Sequence, residues 1–335
     1  MRFSLSLPHY GFSFPDGRPP SFDEAAAWAT RAEELGFDGV MVSDHFIYSF
    51  ARFGAGDDPI ASLEPLTLLA GLAAVTDRVR LSVLALGSPF RHPGTVAKMA
   101  ATIDLVSGGR LDLGVGAGWL EQEFDAFGYR YGSVGDRFDA LTDTLAVLRG
   151  LFDAGDESFT HEGTTASVHE ARLVPSPIQR PVPIWVGGKG GPRLLRLAAR
   201  YAAGWNVVWR FTDGWYRERL DAVAAACEAE GRDPGTFRRT VGFHALLGAD
   251  EGAARQVYAR GQAAMPGGTL DDTDWETWCA ETLSGTPERV RARVATMAAL
   301  GVEEIVVAPW VLPNAIHEPE QVELFAEHVI APSRG

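Results

Sequence analysis

Cysteine is nearly absent from this chain. Among 335 residues there are two, Cys227 and Cys279, with no paired spacing. That argues against a disulfide framework and against a cysteine-built zinc site. Long apolar runs are missing as well. The best is 66–75, with Thr67 inside it, well short of the roughly 20 residues a membrane span requires. Positive charge is in deficit, with 30 Lys and Arg against 44 Asp and Glu and a net charge of −14. No dense basic stretch offers the footprint a nucleic-acid backbone needs, so neither nucleic acid nor a membrane is an expected partner. Residues 1–7 run straight into Pro8 without the basic start and longer apolar stretch of a secretory signal, and a cytoplasmic location is expected. No H-x-x-x-H pattern suggests a metal and no G-x-S-x-G elbow suggests a serine hydrolase.

What is present is ordinary for a large globular domain: 46% hydrophobic and 22% charged residues. A chain of this length can bury about three quarters of its unfolded surface without a metal or staple. Strand-like and helix-like stretches alternate along it. Strands are expected at 2–7, 38–43, 79–86, 110–115, 183–186, 204–208, 240–247 and 304–308. Helices are expected at 22–35, 65–75, 95–106, 136–152, 192–201, 214–230, 251–264, 287–300 and 319–329. Ser21 with Glu24 suggests a capped start for the first helix, and Gly36 its stop. Stretches 154–182 and 266–285 break the rhythm and read as insertions, the first with a short hairpin around Gly163. Continuous apolar runs such as 81–86 and 305–308 suit parallel strands covered on both faces. Eight such units imply a closed (β/α)8 barrel. An open doubly wound sheet is the rival, but no G-x-G-x-x-G follows the first strand, where Pro8-His9-Tyr10-Gly11 stands instead.

In a parallel barrel the loops after the strands carry the chemistry. Ser43-Asp44-His45-Phe46 follows the second strand. Its acid and imidazole fit proton handling or ligand binding, and fit a turn cap with a space-filling ring equally well. After the third strand, Arg91 and His92 suit either an anion or the barrel rim. After the fourth, Gly114, Gly116 and Gly118 allow close approach of a ligand or of another backbone. Gly187-Gly188-Lys189-Gly190-Gly191 follows the fifth and opens a helix at Pro192. Glycine-freed N–H groups, a helix N-terminus and a lysine together suit an anion such as phosphate.

Several longer stretches are similar to one family. They are Ala32 to His45, Phe90-Arg91-His92-Pro93, Ala101 to Trp119, Pro181 to Gly188, and Ala203-Gly204-Trp205-Asn206. In this order they resemble the luciferase-like flavin and deazaflavin oxidoreductases, and most of all the subgroup using the deazaflavin coenzyme F420. The resemblance implies one TIM-barrel domain over 1–335, with insertions after strands 4 and 7. It implies a flavin-type ring over the strand ends, met by Ser43, Asp44 and His45. A non-proline cis peptide is expected within Val83, Leu84 and Ala85 behind the ring. Gly116, Ala117 and Gly118 would form the wall beside it, and Gly187, Gly188, Lys189 and Gly190 the phosphate site. His45 is the expected proton group, with Asp44 positioning it or binding the ring. Lys189, Arg193 and Arg91 are the cations nearest by sequence for an acidic coenzyme tail. Trp119 stands where the family's sugar-phosphate dehydrogenases have glutamate, so a small, apolar organic substrate against Phe46, Trp119 and Trp209 is expected. The expected activity is F420-dependent hydride transfer in a homodimer. The alternatives are an FMN-type monooxygenase fed reduced flavin by a separate reductase, and a cofactor-free barrel that only binds.

Overall fold

The computed structural model describes residues 1–334. Eight parallel strands close on themselves in the order β1 (Arg2–Ser6), β2 (Gly39–Val42), β3 (Arg80–Gly87), β4 (Leu111–Gly116), β7 (Ile184–Gly187), β8 (Gly204–Val207), β9 (Arg238–Leu247) and β11 (Glu304–Ala308). Between β4 and β7 lies an antiparallel hairpin, β5 (Phe159–His161) and β6 (Val168–Ala171), around Gly163 as the sequence suggests. β10 (Leu283–Gly285) pairs in parallel with the far end of β9. The barrel strands β2, β4 and β11 are buried along their whole length, as expected for strands covered on both faces.

The surrounding helices are α1 (Phe22–Glu34), α2 (Pro65–Val75), α3 (Pro93–Val106), α4 (Glu121–Ala126), α5 (Val134–Ala154), α6 (Pro192–Tyr201), α7 (Asp213–Ala229), α8 (Glu251–Ala264), α9 (Trp275–Glu281), α10 (Pro287–Ala299) and α11 (Glu320–Phe325). Their ends follow local chemistry. Proline occupies the first turn of α2, α3, α6 and α10, where its missing N–H is harmless. Ser21 caps α1 by accepting from the Glu24 N–H, and Gly36 ends the turn with φ +84°. A full capping box, Ser133 with Asp136, starts α5, slightly before the start expected from apolar spacing.

Three elements were not expected from the sequence. α4 interrupts the segment between β4 and α5, and α9 with β10 replaces the irregular stretch expected at 266–285. All are too short to show a period. α9 is held by burial of Trp275 and Trp278 in a second cluster with Tyr258, Leu246 and Trp310. None of the helices among the described residues is long and apolar enough to cross a membrane.

One irregularity shapes the barrel mouth. The β3–β4 register shifts between Val83 and Leu86, and the Leu84–Ala85 peptide is cis, within the stretch where the resemblance places such a bond. β4 passes close by at Gly114, where a Cβ would collide with the Val83 carbonyl. A second non-proline cis peptide joins Val208 to Trp209 at the end of β8.

Candidate active site

The end of β2 is held by a polar network from both chain ends. Ser43 Oγ donates to Asn314 Oδ1 at 2.9 Å, so the Tyr10 hydroxyl, 2.8 Å away, donates to Ser43. Asn314 in turn donates from Nδ2 to the Leu7 carbonyl, and its own N–H goes to Ser6 Oγ. Beneath lies His9, with Nδ1 on the Leu7 carbonyl and Nε2 accepting from the Ser43 N–H. Burial, opposed by its backbone bonds, pushes His9 down to about 4, so it stays neutral and structural. His9, Tyr10 and Asn314 carry no sequence signal for this role, because barrel closure alone brings residue 314 to residue 43.

Asp44 and His45 face different partners. Both oxygens of Asp44 accept from Arg91, at 2.7 and 2.9 Å, and Oδ2 also accepts from the Gly87 N–H at 2.9 Å. Arg91 reaches Glu64 as well, at 2.6 Å. The carboxylate beside His45 is instead Glu123 from α4: Nδ1 lies 3.0 Å from Oε1. Its other oxygen accepts from the Phe46 N–H at 3.0 Å. The Asp44 side chain is fully buried and Arg91 is 12% exposed. The expectation that Asp44 orients His45 is therefore corrected, because a guanidinium with two N–H groups claims that carboxylate first. The same pairing removes Arg91 as a receiver for an acidic tail.

His45 sits in an aromatic frame. Its ring meets Tyr48 and Trp119 edge to face, at centroid distances of 5.2 and 5.4 Å, with Tyr10 at 6.3 Å. Arg52 lies over the Trp119 ring. Burial pushes the Tyr48 hydroxyl up to about 12. Burial also raises the Glu123 carboxyl above its ordinary range, against the opposing hydrogen bond from His45.

Next to this frame the strand ends carry small residues. Ala85, Gly116 and Gly187 lie side by side on β3, β4 and β7; a Cβ at Gly116 would sit 3.6 Å from the Ala85 Cβ, and one at Gly187 only 3.0 Å. Leu84, Ala117 and Gly118 are partly exposed beside them. Val83 is not part of this shelf. It is fully buried in the main core, ahead of the register shift that separates it from Ala85.

The glycine loop after β7 is shaped by its backbone. Gly190 has φ +73°, and a Cβ there would come 2.9 Å from the Trp205 ring. Gly188 donates to the Asn206 carbonyl and accepts from Trp205 Nε1. α6 then begins at Gly191 without a capping side chain, leaving backbone N–H groups at its first turn. Lys189 does not lie along this terminus. Its Nζ donates to the Val208 carbonyl at 2.8 Å, and Arg193 pairs with Asp139 at 2.5 Å. Of the three cations expected at an acidic tail, Arg91 is sealed in its pair, while Arg193 lies in a half-exposed pair and Lys189 meets only a neutral carbonyl.

The aromatic residues expected to share one substrate surface occupy three places. Trp119 belongs to the His45 frame. Phe46 packs outward on Phe90 and Phe127, both at 4.9 Å, because neighbouring residues at a strand end point apart. Trp209 lies 5.7 Å from His244 on β9. His244 was not singled out by its sequence. It lies between Trp209 and Trp278 and bonds through Nδ1 to the Trp310 carbonyl, and burial pushes it down to about 4.

Comparison with known proteins agrees with this architecture. The family model described as luciferase-like monooxygenase matches residues 1–304. An FMNH2-dependent dimethylsulfone monooxygenase of Pseudomonas putida is 28% identical over 90% of this chain and 85% of its own. An F420-dependent glucose-6-phosphate dehydrogenase of Microbacterium testaceum is 37% identical over 59% of this chain and 56% of its own. Among solved structures, a monooxygenase from Streptomyces bottropensis covers both chains fully, with a TM-score of 0.77 and 26% identity. With its closed barrel and this full-length match, the chain is an enzyme and belongs to the luciferase-like monooxygenase family, whose members similar to it include both F420-dependent and FMN-dependent oxidoreductases.

Proposed function

We propose that this enzyme transfers a hydride between coenzyme F420 and a small, largely apolar organic substrate. The observation that carries the proposal is the small-residue shelf of Ala85, Gly116 and Gly187 next to His45 and Trp119. A flat ring needs an even surface at the strand ends, and larger side chains on this shelf would fill it. When bound, the deazaflavin supplies the ring carbon that gives or takes the hydride. The chain's own work is then positional. The shelf would support one face of the ring, and the uncapped start of α6 would hold a phosphate with its backbone N–H groups. Tyr48, Trp119 and Phe53 pack on one another beside His45 and would exclude water there. His45 moves the proton at its Nε2, the nitrogen not facing Glu123. Asp44, sealed against Arg91, sets the shape of the loop and takes no proton. The choice of deazaflavin rests on the Ser43-Asp44-His45 run and on F420-dependent relatives.

A reduced-flavin monooxygenase, served by a separate reductase, is the second reading. It is favoured by the relative that matches 90% of the chain and by the sealing of Arg91 against Asp44, which takes away one of the cations expected for an acidic F420 tail. Calorimetry with oxidised F420 and with FMN decides between them. Tighter F420 binding, reversed in neither low nor moderate salt, supports the proposal. Tight FMN binding without F420 binding, together with oxygen uptake on adding a flavin reductase, replaces it with the second reading.

A further inference from the structure

We infer that Glu123 is the positioning residue for His45: it fixes the imidazole with a proton on Nδ1 and turns Nε2 to the barrel mouth. The inference rests on His45 being the proton group proposed above, and it assigns the tautomer that group takes whenever its ring is neutral.

The geometry leaves little choice. Glu123 has a side chain 1% exposed, and both of its oxygens are in use. Oε2 accepts from the Phe46 backbone N–H, which is always a donor. Oε1 lies 3.0 Å from Nδ1, and an ionised carboxylate only accepts, so Nδ1 must carry the proton. The competing arrangement, a protonated Glu123 donating to a bare Nδ1, would reverse the tautomer. The burial of Glu123 moves in that direction, and the two N–H donors oppose it.

The surroundings serve this pair. α4 has six residues and little stability of its own. It is pinned by Phe124 against Phe90 at 4.5 Å and by Gln122 donating to the Asp57 carbonyl at 2.8 Å. Edge-to-face contacts with Tyr48 and Trp119 restrain rotation of the imidazole. The charged and titratable groups around it are Asp44, Arg91, Tyr10, Tyr48, Arg52 and His9, the last held neutral by burial. Asp44 and Arg91 neutralise each other. Burial raises both tyrosines, so they stay neutral. Arg52 lies across Trp119 from the imidazole. Glu123 is therefore the carboxylate that orients the imidazole.

The test uses nitrogen NMR of the cofactor-free protein, with His45 assigned by the signals lost in His45→Ala. In the native chain, at a pH high enough for the imidazole to be neutral, Nδ1 is expected to be the protonated nitrogen and Nε2 the bare one. Glu123→Ala is expected to abolish that preference, and Glu123→Gln, which keeps one acceptor oxygen, to retain part of it. In turnover, Glu123→Ala should lower kcat at least about tenfold, short of the roughly 10²–10⁴-fold that the proton-transfer group itself contributes, and leave cofactor Kd unchanged. A native His45 with its proton on Nε2, or a tautomer unaltered by Glu123→Ala, overturns the inference. The native measurement needs only His45→Ala to fold, for the assignment, and not the Glu123 variants. It also needs no cofactor, so failure of F420 to bind would remove the proposed reaction and leave this result standing.

Discussion

Arg91 grips Asp44 with two parallel hydrogen bonds, 2.7 and 2.9 Å long, across the ends of β2 and β3. The pair is almost sealed from solvent, and Gly87 and Glu64 complete its hydrogen bonding. It fixes the loop that carries His45 and lets the histidine take a different carboxylate.

Breaking this pair from one side should be severe. Truncation leaves a buried charge without its partner, which costs about 3–5 kcal/mol. Arg91→Ala and Asp44→Ala are each expected to lose stability on that scale in urea unfolding. Arg91→Met with Asp44→Leu should lose less than the two single truncations added together. Additive losses would mean that the charges do not depend on one another.

Gly191→Asp should move stability and cofactor affinity in opposite directions. Gly191 is the N-cap of α6, and a Cβ there meets nothing within 4 Å. An aspartate would cap the helix and stabilise the protein by about a few tenths of a kcal/mol. It would also place negative charge at the start of α6, where a coenzyme phosphate would lie. A raised Tm with cofactor Kd at least about tenfold weaker is expected, and unchanged affinity in the more stable variant would remove this terminus from the site.

His45→Ala should separate chemistry from binding. If the imidazole moves a proton, kcat falls roughly 10²–10⁴-fold, while cofactor Kd changes little. A large loss of affinity with turnover retained would make His45 a binding group.

Acid stability should depend on Glu33. Burial disfavours its charge, but N–H donors from Val79, Arg78 and Asp77 outweigh this and hold the carboxyl below its usual range. A lowered folded pKa adds stability that is present above the unfolded value, near 4.5, and is lost as pH falls through the folded one. Glu33→Gln should therefore cost about 1–2 kcal/mol at pH 7, and the difference from the native chain should shrink below pH 4.5. A gap that stays constant across that range would rule out the charge as its cause.

The elements that depend on neighbours in the chain are legible in the sequence. α2, α6 and α8 have the bounds expected from proline starts and apolar spacing, and all eight barrel strands lie where apolar runs and turn residues put them. Their signals are local, because a cap or a turn involves residues within a few positions of one another. Eight strand-helix units also imply a closed barrel, since apolar strands need cover on both faces. Which polar group meets which is a different kind of fact. Glu123 reaches His45 across 78 positions, Asn314 reaches Ser43 across 271, and Arg91 reaches Asp44 across 47. The segment from Trp119 to Glu123 offers two glutamates and a glutamine. Only the orientation of α4 selects Glu123, and that orientation comes from burying Phe124. The sequence by itself thus determined the barrel and the loops that would carry chemistry. The tertiary structure decided which carboxylate serves His45, because closing the barrel brings distant strand ends together and burial requires each charge to find a partner.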